Sequence, residues 1–223
     1  MKVLLFGATG MVGQGVLREC LLAPDVDAVT VIGRTPTGKQ DDKLREITHS
    51  DFTDFTAVQD QLAGHDACFF CLGVSSAGMT EADYTRMTYD WTMAAARLLV
   101  QLNPAMTFIY VSGAGTDSTE RSGSMWARVK GKTENALLAL PFKAAYMFRP
   151  GGIRPMHGEV SKTKSYRIMY AITKPLWPVA ALFTGAVTTT ESVGRAMLRV
   201  TREGSEKKVL ETRDINALAK AAS

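Results

Sequence analysis

Cysteine and histidine are scarce in this sequence, with three of each among its 223 residues. The cysteines are Cys20, Cys68 and Cys71, and the histidines are His49, His65 and His157. Three thiols are too few for a disulfide framework, and the histidines lack the spacing of metal ligands. Cys68 and Cys71 have the spacing of a redox pair, but in a strand side chains three apart point to opposite faces. We therefore expect no metal site, no dithiol function and a reduced, cytoplasmic setting.

Long apolar runs and long basic runs are also missing. The most apolar stretch, residues 166–183, is interrupted by Lys174-Pro175 and Pro178, so it is too short to span a membrane. The apolar run near the amino terminus leads directly into glycines, and we expect no signal peptide there. The net charge of +4 is not gathered into a Lys/Arg run. A nucleic-acid partner is therefore not expected, whereas an anionic small molecule suits the mild excess of positive charge.

Apolar residues, by contrast, are plentiful, at 46% hydrophobic against 22% charged, as in ordinary globular domains. The whole length, 1–223, suits a single α/β domain. Short apolar runs predict strands at 2–6, 28–32, 44–48, 67–71, 107–111, 143–148 and 208–210. Helical patterns lie between them at 11–22, 55–62, 81–102 and 124–138, and further helices begin near Thr190 and Asp214. This alternation predicts a doubly wound parallel sheet.

Residues 152–186 break this rhythm, and we expect them to form a small lid on the substrate side of the domain. A subunit contact and ordinary core packing are the other interpretations of this apolar segment.

The first predicted strand runs directly into a loop with three evenly spaced glycines. The loop residues are Gly7, Ala8, Thr9, Gly10, Met11, Val12 and Gly13. Gly7 would allow a sharp turn, Gly10 would let a pyrophosphate approach the backbone, and Gly13 would let the helix pack closely on the strand. Because a strand precedes this loop and a helix follows it, we expect amides at the helix N-terminus to bind a dinucleotide. An ordinary Gly-rich turn is the alternative. The expected fold class is thus an α/β Rossmann domain.

The end of the second strand indicates which nicotinamide dinucleotide is preferred. A carboxylate there would bind the ribose hydroxyls of NAD, but the sequence has Arg34 instead, which suits the extra phosphate of NADP. We therefore expect NADP(H), with NAD(H) as the alternative, and a surface arginine without this role as the other interpretation. Asp51 and Phe52 follow the third strand and are expected to meet the adenine, through the acidic side chain and the neighbouring backbone.

Loops after other predicted strands should reach the same edge of the sheet, because parallel strands end together there. The residues expected to contribute to the cofactor site from these loops are Cys71, Leu72, Gly73 and Val74 after the fourth strand, Ser112 after the fifth, and Pro150, Gly151 and Ile153 after the sixth.

By these motifs the chain resembles the short-chain dehydrogenase/reductase superfamily, and most closely its compact atypical, epimerase-like members. The resemblance lies in the Gly7–Gly13 loop, Tyr110-Val-Ser-Gly113, the helix of Lys130 and Arg149-Pro-Gly151. It implies catalytic roles for Ser112, which would orient the substrate oxygen, and for Lys130, which would hold the nicotinamide ribose. The family's tyrosine lies four residues before the lysine, and here that position is Trp126. An indole cannot relay a proton, so the usual acid/base step is missing.

Three functions remain open at this point. The protein is expected to be an NADPH-dependent oxidoreductase in which Ser112, Ser124, Tyr84 or a water donates the proton, or in which a flavin-like acceptor takes its proton from solvent. The alternative is a non-catalytic, NADPH-sensing regulatory protein with a protein partner, and a sugar-nucleotide epimerase is the third. The resemblance also implies a homodimer that forms through the helix at 81–102, and a monomer is the alternative.

Overall fold

The computed structural model describes residues 1–159 and 186–220. The strands are β1 (Lys2–Phe6), β2 (Ala28–Gly33), β3 (Leu44–Thr48), β4 (Ala67–Phe70), β5 (Thr107–Val111), β6 (Ala144–Arg149), β7 (Gly152–Arg154), β8 (Val187–Thr189) and β9 (Val209–Glu211). Seven of them form one parallel sheet in the order β3-β2-β1-β4-β5-β6-β9, and β7 pairs with β8 in a second small sheet. The predicted Rossmann-type parallel sheet is confirmed.

The helices match the predicted alternation, with two local differences. They are α1 (Met11–Leu22), a 3-10 helix (Thr56–Leu62), α2 (Glu81–Thr85), a π-helical turn (Arg86–Asp90), α3 (Trp91–Leu102), α4 (Met125–Leu138), α5 (Thr190–Glu203) and α6 (Thr212–Lys220). The segment predicted as one helix over 81–102 is helical throughout, but its middle widens into the π turn. The segment after Phe55 winds more tightly than an α-helix.

The central sheet is covered on both faces, which explains why its strands are continuously apolar. On one face, α1, α5 and α6 pack over a core that includes Val3, Leu5 and Phe69. On the other face, the 3-10 helix, α3 and α4 cover a core that includes Leu4 and Phe70. Cys68 belongs to the second core and Cys71 packs against the first, as the alternation of side chains predicts.

The carboxyl-terminal part completes the same domain. β9 extends the central sheet beside β6, and α5 packs on α1. The lid predicted for residues 152–186 falls mostly on residues 160–185, which lie outside the described residues. Within the ranges that the structure describes, no helix is long and apolar enough to cross a membrane.

Candidate functional site

The candidate site lies where the strand order reverses, between β1 and β4. β1 pairs with β2 on one side and with β4 on the other. From β1 the next strands, β2 and β3, extend the sheet in one direction, and from β4 the strands β5 and β6 extend it in the other. In doubly wound sheets this divergence opens a crevice at the carboxyl edge. The loops after β1, β2, β3, β4, β5 and β6 carry the residues predicted from the sequence, and parallel pairing brings these loops to that one edge.

The opening loop has a backbone that only glycine can form at two positions. Gly7 has φ of +80°, and a Cβ there would lie 2.6 Å from the backbone of Cys71 and Leu72. A Cβ at Gly13 would lie 2.1 Å from the carbonyl oxygen of Gly7. The turn closes through the Gly10 amide, which donates to the Gly7 carbonyl at 2.9 Å. The turn and the close helix packing therefore require these glycines, as the sequence indicates.

Helix α1 begins at this loop without a capping side chain. Its N-cap residue, Gly10, makes no side-chain hydrogen bond, and the first turn contains no acidic residue. The first amides of a helix have no partner within it, and the helix dipole makes this end positive. Met11 and Val12 are half-buried here and Thr9 precedes them. A shallow glycine turn that leads into an uncapped, acid-free helix end fits the diphosphate of a dinucleotide.

The ends of β2 and β3 provide the second group of predicted residues. Arg34 is exposed immediately after β2. Asp51 accepts hydrogen bonds from the amide and hydroxyl of Thr53 at 2.9 and 2.6 Å, and these bonds hold the pKa of its carboxyl below the usual range. Phe52 is buried, with its ring 5.4 Å from that of Trp91, so this residue can offer a ligand only its backbone.

The loop after β4 contacts the glycine loop directly. The Cys71 amide donates to the Phe6 carbonyl at 3.0 Å, and the backbone of Cys71 and Leu72 fills the space that a Cβ on Gly7 would need. Gly73 is exposed and Val74 is half-buried beyond them. Burial raises the pKa of the Cys71 thiol to about 12, so the thiol is protonated at neutral pH. The contribution of this loop is therefore its shape and its backbone.

The loop after β5 and helix α4 bring the two predicted catalytic residues together. The ammonium of Lys130 donates to the backbone carbonyl of Ser112 at 2.6 Å, and it lies 5.7 Å from the ring centre of Tyr110. Burial lowers the pKa of Lys130 to about 8, and the nearby carboxylate of Glu134 opposes that shift. Ser112 is 9% exposed. Its hydroxyl donates a hydrogen bond to the buried carboxylate of Glu134, and its oxygen also lies 3.1 Å from the Phe148 carbonyl.

Glu134 is the residue of this site that the sequence reasoning missed. Its side chain is 1% exposed and pairs with Arg149, whose Nε lies 3.0 and 3.2 Å from the two carboxylate oxygens and whose Nη2 also donates to it. This pairing raises the pKa of Arg149. The signal was available, because Glu134 lies four residues after Lys130 and so shares its helical face.

Trp126, for which the sequence resemblance implies the position of the superfamily's tyrosine, lies on α4 one turn before Lys130. Its indole packs over the loop after β5, where a Cβ on Gly115 would lie 3.3 Å from the ring. Among the alternative proton donors, Tyr84 is 1% exposed, whereas Ser124 is exposed at the start of α4. Tyr84 is therefore enclosed by protein, and Ser124 is the more accessible of the two side chains.

The residues after β6 are held against the β5 loop and the carboxyl-terminal helices. The Pro150 carbonyl accepts from the amide of Ala114 at 2.9 Å, and the Gly151 amide donates to the Thr212 hydroxyl at 2.9 Å. A Cβ on Gly151 would lie 2.4 Å from the Ala186 carbonyl, so this position also requires glycine. Ile153 is buried within β7. These contacts place the segment beside Ser112, as the strand order predicts.

One cluster of possible metal ligands exists among residues 1–159 and 186–220. Glu19, His157 and Glu191 offer ligand atoms within 4.8 Å of one another. The same carboxylates are already paired with guanidinium groups: Glu19 with Arg18 and Arg195, and Glu191 with Arg195 at 2.7 Å. The cluster is thus an ion-pair network that joins α1, α5 and the loop of His157.

The fold and the glycine loop together define a class, the Rossmann domains that bind a dinucleotide at the strand-order reversal. Residues 7–145 match the family model described as NAD(P)H-binding. The chain belongs to this NAD(P)H-binding family. The resemblance to atypical short-chain dehydrogenases/reductases, inferred from the sequence motifs, is thereby confirmed.

Curated relatives are distant. The chain is 27% identical over 152 residues to rat Protein HTATIP2, an alignment that covers 67% of this chain and 62% of that protein, which is less than two thirds of its length. It is 28% identical over 167 residues to Saccharomyces cerevisiae Protein FMP52, mitochondrial, covering 74% of this chain and 69% of that protein. Protein FMP52-1, mitochondrial, of Scheffersomyces stipitis is 24% identical over 228 residues, with 99% of both chains covered.

Solved structures of similar fold include MoeE5 in complex with UDP-glucose and NAD, with a TM-score of 0.70 and 16% identity, covering 95% of this chain and 75% of that one. The UDP-glucose 4-epimerase of Thermotoga maritima, solved with UDP-glucose, has a TM-score of 0.68 and 15% identity, covering 100% of this chain and 81% of that one. At such identities the likeness concerns the fold alone.

Proposed function

We propose that this protein is an NADPH-dependent oxidoreductase of the atypical short-chain dehydrogenase/reductase type. The observation that carries the proposal is the placement of Lys130. Its ammonium is fixed on the carbonyl of Ser112 at the end of β5, and β5 lies two strands from β1, whose end forms the glycine turn. A positive charge at this edge, beside a turn and helix end suited to a diphosphate, matches a bound dinucleotide in charge and shape.

The predicted cofactor-site residues other than Ser112 have binding roles in this proposal. The amides of the Gly7–Gly13 loop bind the diphosphate, Arg34 binds the additional phosphate of NADPH, and Asp51 with the backbone of Phe52 meets the adenine. The backbone of residues 71–74 lines the crevice, and Lys130 holds the nicotinamide ribose. The segment of Pro150, Gly151 and Ile153 approaches the carboxamide. The nicotinamide group supplies a hydride when it is bound.

The class of hydride acceptor proposed here follows from which side chains can donate a proton to it. Trp126 cannot ionise, Tyr84 is enclosed, and the hydroxyl of Ser112 donates its hydrogen bond to Glu134, away from a substrate. An acceptor that takes its proton from solvent, such as a quinone or a flavin, therefore suits this site better than a carbonyl that requires a protein-held phenol. Ser124 or a water is the proposed donor where an acceptor needs one.

The test is NADPH oxidation, followed by absorbance, against a panel of quinones, flavins and carbonyl compounds. We expect turnover with at least one quinone or flavin, and a fall of about tenfold or more in kcat/KM for Lys130→Ala, since a charged hydrogen-bond donor is lost. Lys132→Ala is the matched control, because Lys132 lies on the same helix but over the ring of Tyr89 at 4.7 Å. Equal rates for both variants would refute the role of Lys130.

A second candidate function, an NADPH-responsive binding protein, is favoured by one observation: the inward hydrogen bond of Ser112 together with Trp126 leaves the usual catalytic pair incomplete. This function is supported instead if NADPH binds, the whole panel stays silent, and the cofactor changes protease sensitivity or partner binding. An epimerase is less well supported. β9, α5 and α6 belong to the Rossmann domain itself, so among the described residues they form no separate sugar-binding domain.

The proposed location is the cytoplasm, and the proposed assembly is a monomer or a homodimer. The three cysteines are free thiols, as expected in a reducing compartment. The yeast relatives carry "mitochondrial" in their names, which concerns those proteins. Cell fractionation and light scattering on purified protein are the measurements that test these two proposals.

A further inference from the structure

A buried carboxylate ties together the parts of the site that carry its polar groups. Glu134 lies on α4, one turn after Lys130, and its side chain is 1% exposed. It accepts a hydrogen bond from the hydroxyl of Ser112, at the end of β5, and pairs with Arg149, at the end of β6. One side chain thus fixes the relative positions of a helix and two strand ends.

The arrangement is specific in its charges. A carboxylate removed from water is unfavourable unless it is paired and hydrogen-bonded, and here both oxygens are satisfied. Arg149 spreads its remaining donors to the Ser118 hydroxyl at 2.6 Å and to Glu211 on β9 at 3.5 Å. Lys130 shares the face of Glu134 and gives its own hydrogen bond to the backbone of Ser112. Ser112 is therefore held from two sides, by Glu134 at its hydroxyl and by Lys130 at its carbonyl.

We propose that Glu134 is a positioning residue of the cofactor site, which orients Ser112 and, through Ser112, the side chain of Lys130 that holds the dinucleotide. The inference rests on the proposed role of Lys130 in holding the nicotinamide ribose. Glu134 touches neither cofactor nor substrate in this proposal. It acts through Ser112, Lys130 and Arg149.

The charge of Lys130 depends on few neighbours. Glu134 on the same helix is the acidic group that acts on it, the ring of Tyr110 faces it from β5, and Arg149 reaches Glu134 from β6. Tyr84 from α2 acts on Tyr110, and Glu211 from β9 acts on Arg149. Burial lowers the pKa of Lys130 to about 8 and Glu134 raises it. Without the carboxylate, the effect of burial on Lys130 would be unopposed, and the ammonium would lose its proton at lower pH.

The experiment measures dissociation constants of NADPH and of NADH by fluorescence titration between about pH 6.5 and 9.5, an interval that brackets the pKa of Lys130. For the wild type we expect affinity to fall as pH rises through about 8, because the ammonium loses its charge there. For Glu134→Gln we expect the midpoint to move to lower pH by about one unit, with several-fold weaker binding at neutral pH. A purely structural role would lower affinity without moving the midpoint.

Glu211→Gln is the matched control, since it removes the more distant carboxylate from the same Arg149 and leaves Ser112 and Lys130 untouched. It should bind with the wild-type midpoint. Glu134→Asp keeps the charge but shortens the side chain, so it should bind more weakly at every pH with an unchanged midpoint. If Glu134→Gln fails to fold by circular dichroism, a flat wild-type pH profile or wild-type binding by Glu134→Asp still overturns the inference.

The inference is overturned if wild-type affinity is flat across this range, if Glu134→Gln keeps the wild-type midpoint, or if Glu134→Asp binds as the wild type does. Because the readout is binding of either dinucleotide, it is separate from the proposed function, which fails if no acceptor in the panel is reduced.

Discussion

Arg34 is the residue on which the choice between the two dinucleotides depends in our proposal. It is exposed immediately after β2. In the pairing of β1 with β2, Ile32 lies opposite Phe6, so Gly33 and Arg34 come next at the carboxyl edge of the sheet, as Gly7 does after β1. A guanidinium there can bind a phosphate with two parallel hydrogen bonds, whereas a ribose hydroxyl offers no charge to it. In this proposal the side chain therefore contributes to the affinity for NADPH and not to that for NADH.

We expect Arg34→Ala to raise the dissociation constant of NADPH by about tenfold or more, because a charge-assisted hydrogen bond to phosphate is lost, and to leave that of NADH nearly unchanged. Isothermal titration with both cofactors measures this. Arg45→Ala is the control, since Arg45 is also an exposed arginine and lies within the neighbouring strand β3. An unchanged preference in Arg34→Ala would remove the phosphate role from this residue.

At the scale of elements, the crossing of α1 and α5 determines how the carboxyl-terminal part meets the glycine loop. The two helices approach so closely that a Cβ on Gly15 would lie 2.5 Å from the side chain of Thr190, and one on Gly194 would lie 2.8 Å from that of Glu19. Small residues on both helices permit this approach. The helix that offers its N-terminus to the diphosphate is thus supported by α5 along its buried face.

Gly194→Ala should therefore destabilise the protein by about 1–3 kcal/mol, because the added methyl group meets Glu19 and lies 3.2 Å from the Cα of Val16. Urea unfolding followed by circular dichroism measures the loss. At Gly123, a loop position with nothing within 4 Å of an added Cβ, the same substitution should change stability by less than about 0.5 kcal/mol or raise it slightly. Equal stability of the two variants would show that the helix crossing tolerates a side chain.

At the scale of the whole molecule, the site is assembled from loops that are far apart in sequence. The opening loop, Arg34, the segment after β4, Ser112 and Pro150 come from five strand ends, and the parallel sheet gathers them at one edge. A dinucleotide that touches all of them would stabilise the folded state and not the unfolded chain. Cofactor binding can therefore be measured as an increase in the stability of the whole domain.

We expect the unfolding temperature to rise with NADPH. At a concentration about 100 times the dissociation constant the gain is about 2.7 kcal/mol, which corresponds to a shift of roughly 5–10 °C for a protein of this size. Differential scanning fluorimetry with NADPH, NADH and ATP compares the cofactors with a nucleotide that lacks nicotinamide. If neither dinucleotide raises the unfolding temperature at millimolar concentration, the proposed binding site is contradicted.

The order of strands and helices and the glycine turn were predictable because they depend on local patterns. Continuous apolar runs marked the strands, and the spacing of Gly7 and Gly13 reflected contacts within a few residues and with the adjacent strand. The π turn at Arg86–Asp90 and the 3-10 winding after Phe55 were not predictable, because the spacing of apolar residues that predicts a helix does not distinguish these windings from an α-helix.

Sequence alone determined that this chain folds into a dinucleotide-binding Rossmann domain, since periodicity and glycine spacing act over short distances. Only the tertiary structure decided what Ser112 does with its hydroxyl and how Lys130 is charged. The Ser112 hydroxyl binds Glu134, which lies one helix turn after Lys130 and pairs with Arg149 from another strand. The pKa of Lys130 is lowered by burial and raised by Glu134, because a buried charge is set by the groups that the fold packs around it.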